Sequence, residues 1–323
     1  MKIKNLKIDG YAALAPMAGV ADRAFRELCK GYGAAYVITE MVSSKGLTMQ
    51  DKKSKELLFI SDIEHPAGAQ IFGDSPETMA LAAKKALEFS PDFIDINMGC
   101  PAPKIAGNGG GSALMKKPQL AGEIVKAVRE VVDLPLSVKM RTGWDENSIN
   151  CVELAKICEA NGADAITVHG RTKVQMYSPP VDLKPIAEVK KAVGIPVIGN
   201  GDIVDGKSAE LMLSETGCDF LMVGRGALGA PWVFDRINAY LEKGEILPEP
   251  EIDEKMEVML RHIRTLCEYK GEYVGMREAR KHAAWYIKGM RGAAEFRREI
   301  GSLEHIEQLE NIAQKIKNCC KSL

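Results

Sequence analysis

Two short stretches carry residues whose types and spacing promise chemistry. The first is Asn97-Met98-Gly99-Cys100-Pro101, a cysteine on a Gly–Pro turn. An unperturbed thiol with a pKa near ~8.5 is mostly protonated at neutral pH and can donate that proton. The second is Val138-Lys139-Met140-Arg141, a lysine and an arginine two apart and so on one face of an extended chain. Lys139 has three readings: a Schiff-base lysine, a phosphate clamp, or a cation beside the N1–C2=O edge of a reduced flavin, where negative charge accumulates. His169 and Arg171 repeat the two-residue spacing. Asn200-Gly201-Asp202 and Gly224-Arg225-Gly226 are Gly-rich turns of the sort whose backbone N–H groups hold phosphate, and Arg225 adds a guanidinium. Together the two turns argue for a phosphate-bearing ligand such as FMN. For any single residue the plain alternative is a satisfied core hydrogen bond, or a turn and nothing more.

The elements that must position these residues are legible as eight short apolar runs: Tyr11–Ala18, Ala35–Met41, Ala67–Gly73, Phe93–Cys100, Leu136–Gly143, Ala165–Arg171, Pro196–Gly201 and Asp219–Gly226. They are Val- and Ile-rich and apolar on both faces, as strands covered by helices should be. Helical periodicity separates most of them, at 76–89, 118–132, 149–161, 183–193 and 206–215, with Ser75-Pro76 as a cap followed by proline at the first helical position. Between the second and third runs, Leu57–Ile60 is an apolar patch that fits a small hairpin. Eight strand–helix alternations predict an α/β fold of the (β/α)8 TIM-barrel kind. A doubly wound open sheet is disfavoured, because Gly19-Val20-Ala21-Asp22 after the first run lacks the Gly-x-Gly-x-x-Gly turn. In a barrel the candidate residues all fall at the C-terminal strand ends, where such folds place their sites. Polar side chains at nearly every strand end make a lined pocket the better explanation than eight coincidences.

The chain of 323 residues exceeds one ordinary core. We expect a catalytic barrel over 1–243, a Pro- and acid-rich linker over 244–254, and an all-α domain over 255–323, with helices at 255–269, 276–290, 293–299 and 302–318. With 43 Lys+Arg against 44 Asp+Glu, any nucleic-acid contact must come from a local patch. None of the eight cysteines forms a C-x-x-C pair, so no metal site is expected. Free thiols, with neither a leader peptide nor a membrane-length apolar run, point to the cytoplasm.

The segment IDINMGCPAPKIAGNGGGSALM, Ile94–Met115, resembles the tRNA-dihydrouridine synthases, as do Leu14–Arg26, Ala69–Gly73, Val138–Trp144, Val168–Thr172, Ile198–Ile203 and Val223–Trp232. The likeness spans the barrel and is nearest the bacterial B-type branch. It implies that Pro16, Met17 and Ala18 contact the FMN isoalloxazine, that Gln70 and Lys139 hydrogen-bond its ring with His169 nearby, and that Asn200, Gly201, Asp202, Gly224 and Arg225 hold its ribityl chain and phosphate. It further implies that Cys100 is the proton donor, that Asn97 and Arg141 touch the target uracil with Arg171 beside them, and that NADPH is a transient reductant.

Within Arg277–Arg298 seven basic residues face Glu278 and Glu295, with His282, Trp285 and Tyr286 interleaved. Basic side chains with aromatics suit phosphate contact and base stacking. An ordinary solvated helix with Trp285 in the core is the bland alternative, and the resemblance of REARKHAAWYIKGM to the family's RNA-binding domain favours tRNA as partner. Arg277, Arg280, Lys281, Trp285 and Lys288 are then its expected contacts, on a monomer. The competing functions are an FMN barrel acting on free pyrimidine-like metabolites, resembling dihydroorotate dehydrogenases, a Schiff-base aldolase using Lys139, and an RNA-binding protein without catalysis.

Overall fold

A computed structural model describes residues 1–49 and 51–321. An N-terminal hairpin, Lys2–Ile3 with Leu6–Lys7, precedes the barrel strands β1 (Ala12–Leu14), β2 (Val37–Ile38), β3 (Ala67–Phe72), β4 (Phe93–Met98), β5 (Leu136–Arg141), β6 (Ala165–His169), β7 (Val197–Asn200) and β8 (Phe220–Val223), and a short strand, Val42–Ser43, also pairs with β3. All pairings among the barrel strands are parallel, in the order β1-β8-β7-β6-β5-β4-β3-β2. The ring closes between β1 and β2 through Ala35 N–H to the Ala12 carbonyl (2.9 Å) and Leu14 N–H to the Tyr36 carbonyl (3.1 Å). The fold is a (β/α)8 barrel. Strands buried on both faces match the apolar runs that specify them.

The N-terminal end of the barrel interior is a dry aromatic layer. Tyr36 meets Phe93 edge-on at 5.5 Å and stacks on Phe220 at 5.7 Å, with Ile3 and Ile8 of the N-terminal hairpin packed in the same cluster. Phe93 fits only because residue 68 is glycine: a Cβ there would lie 2.4 Å from its ring. The polar strand residues collect at the opposite end.

The stretch between β2 and β3 is helical rather than a hairpin. Helices Ser44–Thr48 and Lys52–Leu58 are followed by a 3-10 turn at Asp62–Glu64. The reason is local: the Asp51 carboxylate accepts from Ser54 N–H at 3.0 Å and from the Ser54 hydroxyl at 2.9 Å, capping the turn that buries Leu58. Buried Arg26, on the first barrel helix (Arg23–Gly31), ties this excursion down. It pairs with buried Glu64 and donates to the carbonyls of Ala21 (3.0 Å) and Phe59 (2.7 Å).

After 244–251, which has no regular structure, four helices follow: Ile252–Lys270, Glu272–Tyr286, Ala293–Ile300 and Ile306–Lys321. The first two pack as a pair, and the first lies on the Arg23–Gly31 helix. Met256, Met259, Ile263, Met276, Ala279 and Ala283 belong to the same apolar cluster as Phe25 and Cys29. The tail therefore extends the barrel's outer core instead of building a separate one, as expected for so short an all-α segment. No helix among the described residues is long and apolar enough to cross a membrane.

Candidate active site

Register delivers the polar residues to one end. Gln70 pairs with Asp95, Asp95 with Ser137, Asn97 with Lys139, and Arg141 with His169. The side chains of Ser137, Asp95, Gln70 and Asn97 form a continuous network. The Ser137 hydroxyl donates to Asp95, and Gln70 Nε2 donates to Asp95 Oδ2 at 2.6 Å. Asn97 Nδ2 donates to Gln70 Oε1 at 2.9 Å, and Asn97 Oδ1 accepts from Gly99 N–H (3.1 Å) and Cys100 N–H (2.9 Å). The thiol at 100 thus sits on a turn pinned from the floor of the barrel.

Burial pushes the Cys100 thiol above its ordinary value, against the Ala102 N–H and the charges of Arg141 and Lys139, so it holds its proton at neutral pH. Burial, with neighbouring Arg141, brings the half-accessible Lys139 down to about 8, Asp95 opposing them. The ammonium remains the major form at neutral pH. Among the described residues its hydrogen bond is to Asn200 Oδ1 at 3.0 Å, and Asn200 Nδ2 is held by the Met222 carbonyl at 2.8 Å. A cation with one acceptor keeps donors for a ligand.

Burial holds His169 well below its usual range, helped by Lys139, Arg141, Arg171 and Arg225. Arg171 Nη1 lies 3.3 Å from His169 Nε2, which makes Nε2 the acceptor and leaves the proton on Nδ1. Arg141 is committed to the protein on two nitrogens. Its Nε donates to the Gly99 carbonyl (2.9 Å), and its Nη1 to the carbonyls of Thr172 (2.8 Å) and Met176 (2.9 Å). It laces the Cys100 turn to the β6 loop, and its Nη2 makes no hydrogen bond among the described residues. Arg171 is buried and bonded to the Pro179 carbonyl (2.7 Å) and Asp202 (2.5 Å). Asp202 also accepts from Arg225 (2.9 Å) and Val181 N–H (2.9 Å). Its carboxylate orients two arginines.

Gly201 has φ +132°, and a Cβ there would lie 2.6 Å from Val181. A Cβ on Gly224 would have room, 3.7 Å from Ala15 and 3.9 Å from Met17 Sδ, which places Met17 beside the β8 turn. Pro16 and Met17 are half-buried and Ala18 exposed along the same rim.

The tail residues divide. Lys281 reaches the rim, its Nζ 3.7 Å from where a Gly19 Cβ would stand. Trp285 is half-buried against His282, and the Trp285–Tyr286 backbone crosses Gly229 so closely that a Cβ there would lie 2.4 Å away. Lys288 is exposed, and exposed Arg277 lies over Tyr273 at 3.5 Å. Arg280 donates twice to the Leu303 carbonyl (3.0 and 2.8 Å) and so clamps the tail's own turn.

Sequence reasoning passed over Asp95, although its spacing from Asn97 gave the signal. It also passed over Tyr177, under the guanidinium of Arg225 at 4.9 Å, and the bracketing of Trp144 by Lys116 (3.6 Å) and Lys173 (4.5 Å). These aromatics lie on loops whose partners are distant in sequence.

Fold and mouth define a barrel enzyme that sets a protonated thiol near a fixed cation. Residues 13–321 match the family model for dihydrouridine synthase. The chain is 45% identical over 304 residues to tRNA-dihydrouridine synthase B of Vibrio vulnificus, covering 94% of each protein. It is 43% identical over 291 residues to tRNA-dihydrouridine synthase B of Pseudomonas aeruginosa, covering 90% of this chain and 88% of that one. A probable tRNA-dihydrouridine synthase of Rickettsia conorii is 44% identical over 298 residues, covering 92% and 90%. The chain belongs to the dihydrouridine synthase family, in its B-type branch.

Proposed function

We propose that this protein is a tRNA-dihydrouridine synthase that reduces the C5=C6 bond of uridines in tRNA, with FMN as cofactor, NADPH as reductant and Cys100 as proton donor. The observation that carries the reading is the pinned, protonated Cys100 thiol close enough to Lys139 and Arg141 to feel both charges. Family membership and near full-length similarity to named synthases support the same activity.

The mouth fits FMN on its own chemistry. Among the described residues Lys139 has a single acceptor, Gly224 leaves open space beside Met17, and the half-exposed Arg225 guanidinium stands at a Gly-rich turn. Met17, Gln70, Lys139, His169, Asn200, Gly201, Gly224 and Arg225 would hold the group, with Pro16 and Ala18 along its edge and Asp202 bracing Arg225. When bound and reduced by NADPH, it supplies a hydride to C6 of uracil.

The remaining work belongs to the chain. Cys100 passes its proton to C5, and the thiolate left behind faces the charges of Lys139 and Arg141 and the Ala102 N–H. Asn97 and the free Nη2 of Arg141 orient the base, with Arg171 holding neutral His169 alongside. A stacked base cannot reach this mouth and must be extruded, at a cost of a few kcal/mol. Lys281, Lys288, Arg277 and Trp285 offset that cost through RNA contacts, while Arg280 keeps their scaffold in shape. The proposed active form is a monomer. The expected domain roles follow, with chemistry in 1–243 and RNA binding in 255–323.

The test is direct. Purified protein given FMN, NADPH and unmodified tRNA yields tRNA whose nucleosides are mapped by mass spectrometry. Dihydrouridine in tRNA, with no reduction of free uridine, supports the reading. Reduction of the free base alone transfers it to a metabolite reductase.

A further inference from the structure

The network under the mouth has a direction. We propose that Asp95 is a positioning residue whose carboxylate fixes the orientation of two side-chain amides, Gln70 and Asn97, and through them the turn that presents Cys100. The proposal rests on the reading of Cys100 as proton donor.

The argument is one of donor and acceptor supply. An ionised carboxylate only accepts, whereas an amide has one accepting and one donating end that are nearly isosteric. Asp95 is fully buried and takes the Ser137 hydroxyl on one oxygen and Gln70 Nε2 on the other. Gln70 must therefore turn Oε1 toward Asn97, which must answer with Nδ2. That leaves Asn97 Oδ1 for the N–H groups of Gly99 and Cys100, both obligate donors. Reverse either amide and two donors meet at the turn, or two acceptors meet at Asp95. The chain is consistent in only one sense, and both its ends enforce it. Every member lies on β3, β4 or β5 or the turn after β4, so rigid strands hold the geometry. Burial raises the Asp95 carboxyl to about 6, opposed by Ser137, Gln70 and Lys139, so the accepting form prevails at neutral pH.

The test reads the turn without needing turnover. In flavin-free protein, the alkylation rate of Cys100 by iodoacetamide is followed by peptide mass spectrometry. Asp95→Ala and Gln70→Met each cut the chain and should speed that alkylation by about fivefold or more, the size of one lost hydrogen bond. Asp95→Asn keeps an oxygen for Gln70 and should restore the rate to within about twofold of the parent. Ser137→Ala removes the hydroxyl on the other side of Asp95 and should leave Cys100 unaffected. Gln70→Met is nearly isosteric and carries the test if Asp95→Ala does not fold. A Cys100 rate unchanged in folded Gln70→Met or Asp95→Ala overturns the proposal, as does equal acceleration in Ser137→Ala. The proton-donor reading is judged separately by dihydrouridine yield in the Cys100→Ala enzyme, so the two can fail independently.

Discussion

The mouth of the barrel and the seam between barrel and tail are both built from buried polar groups, and they treat them in opposite ways. At the mouth, Asp95, Gln70, Asn97 and Lys139 are each hydrogen-bonded and the amides have one consistent orientation. At the seam, Asp22, His262 and His282 are equally buried, yet Asp22 Oδ2, His262 Nε2 and His282 Nε2 have no hydrogen-bond partner among the described residues. His282 Nε2 approaches Asp22 Oδ2 only to 3.6 Å, and Lys270 Nζ to 3.8 Å, both longer than a hydrogen bond. His262 is held by the Tyr286 hydroxyl at 3.2 Å and by stacking on Phe25. The difference teaches where the molecule needs accuracy. Proton delivery to a carbon requires placement to a fraction of an ångström, whereas docking a helical pair needs area and tolerates a looser polar centre.

The largest expected effect breaks the comparison on the mouth side. Cys100→Ala removes the proposed proton donor and should lower dihydrouridine formation by roughly 10²–10⁴-fold while the visible spectrum of the proposed flavin persists. Full turnover in that variant, measured by nucleoside mass spectrometry, would end the assignment of Cys100.

Next comes a buried pair that resembles the mouth in being fully partnered but performs no chemistry. Glu64→Gln strips the charge partner of buried Arg26 and should cost about 3–5 kcal/mol in chemical denaturation, with tRNA reduction per folded molecule little changed. A loss of activity without a loss of stability would contradict this structural role.

The seam should add its own pH-dependent contribution to stability, beside that of buried His169 at the mouth. Burial holds His262 down to about 3, with His282 adding to the effect, so it is neutral when folded and gains a proton on unfolding. Between its unfolded value near ~6.5 and the folded value the unfolded state binds more protons, so stability rises with pH. This contribution is complete above ~6.5 and fades as pH falls toward the folded value. Burial raises Asp22, but His282, His262 and Lys270 more than reverse it, so its contribution is lost only at still lower pH. From pH 7.5 to 5.0 the protein should lose about 1–2 kcal/mol through His262. His262→Phe should flatten that slope, and an unchanged slope would show that the seam is not what titrates.

The smallest effects separate two neighbours on the tail. Lys281→Ala should weaken tRNA binding a few-fold and reduce the salt dependence by about one unit of slope, as loss of one phosphate contact does. Arg280→Gln should leave the salt slope alone and lower the melting temperature, because its guanidinium serves the Leu303 carbonyl. Filter binding across a salt series distinguishes them.

Much of the mouth was legible because strand periodicity is two residues. Lys139 and Arg141, His169 and Arg171, and Asn97 at the end of an apolar run could be assigned to one end of a barrel by counting. The excursion after β2 was misread as a hairpin because its apolar patch is short, and length rather than period decides such cases. The Asp51 cap and the Arg26–Glu64 pair, 38 positions apart, made it helical.

The sequence by itself determined the barrel, the strand-end placement of its polar residues and the helical tail, since each follows from local pattern. Only the tertiary structure decided which polar groups satisfy one another. It set Arg280 on the Leu303 carbonyl and Asp202 between two arginines, and it brought His282 to Asp22 across some 260 residues of chain, with His262 beside His282. The reason is physical: periodicity fixes the face on which a side chain lies, but a hydrogen bond depends on which distant group the closed ring and docked helices carry to within 3 Å of it.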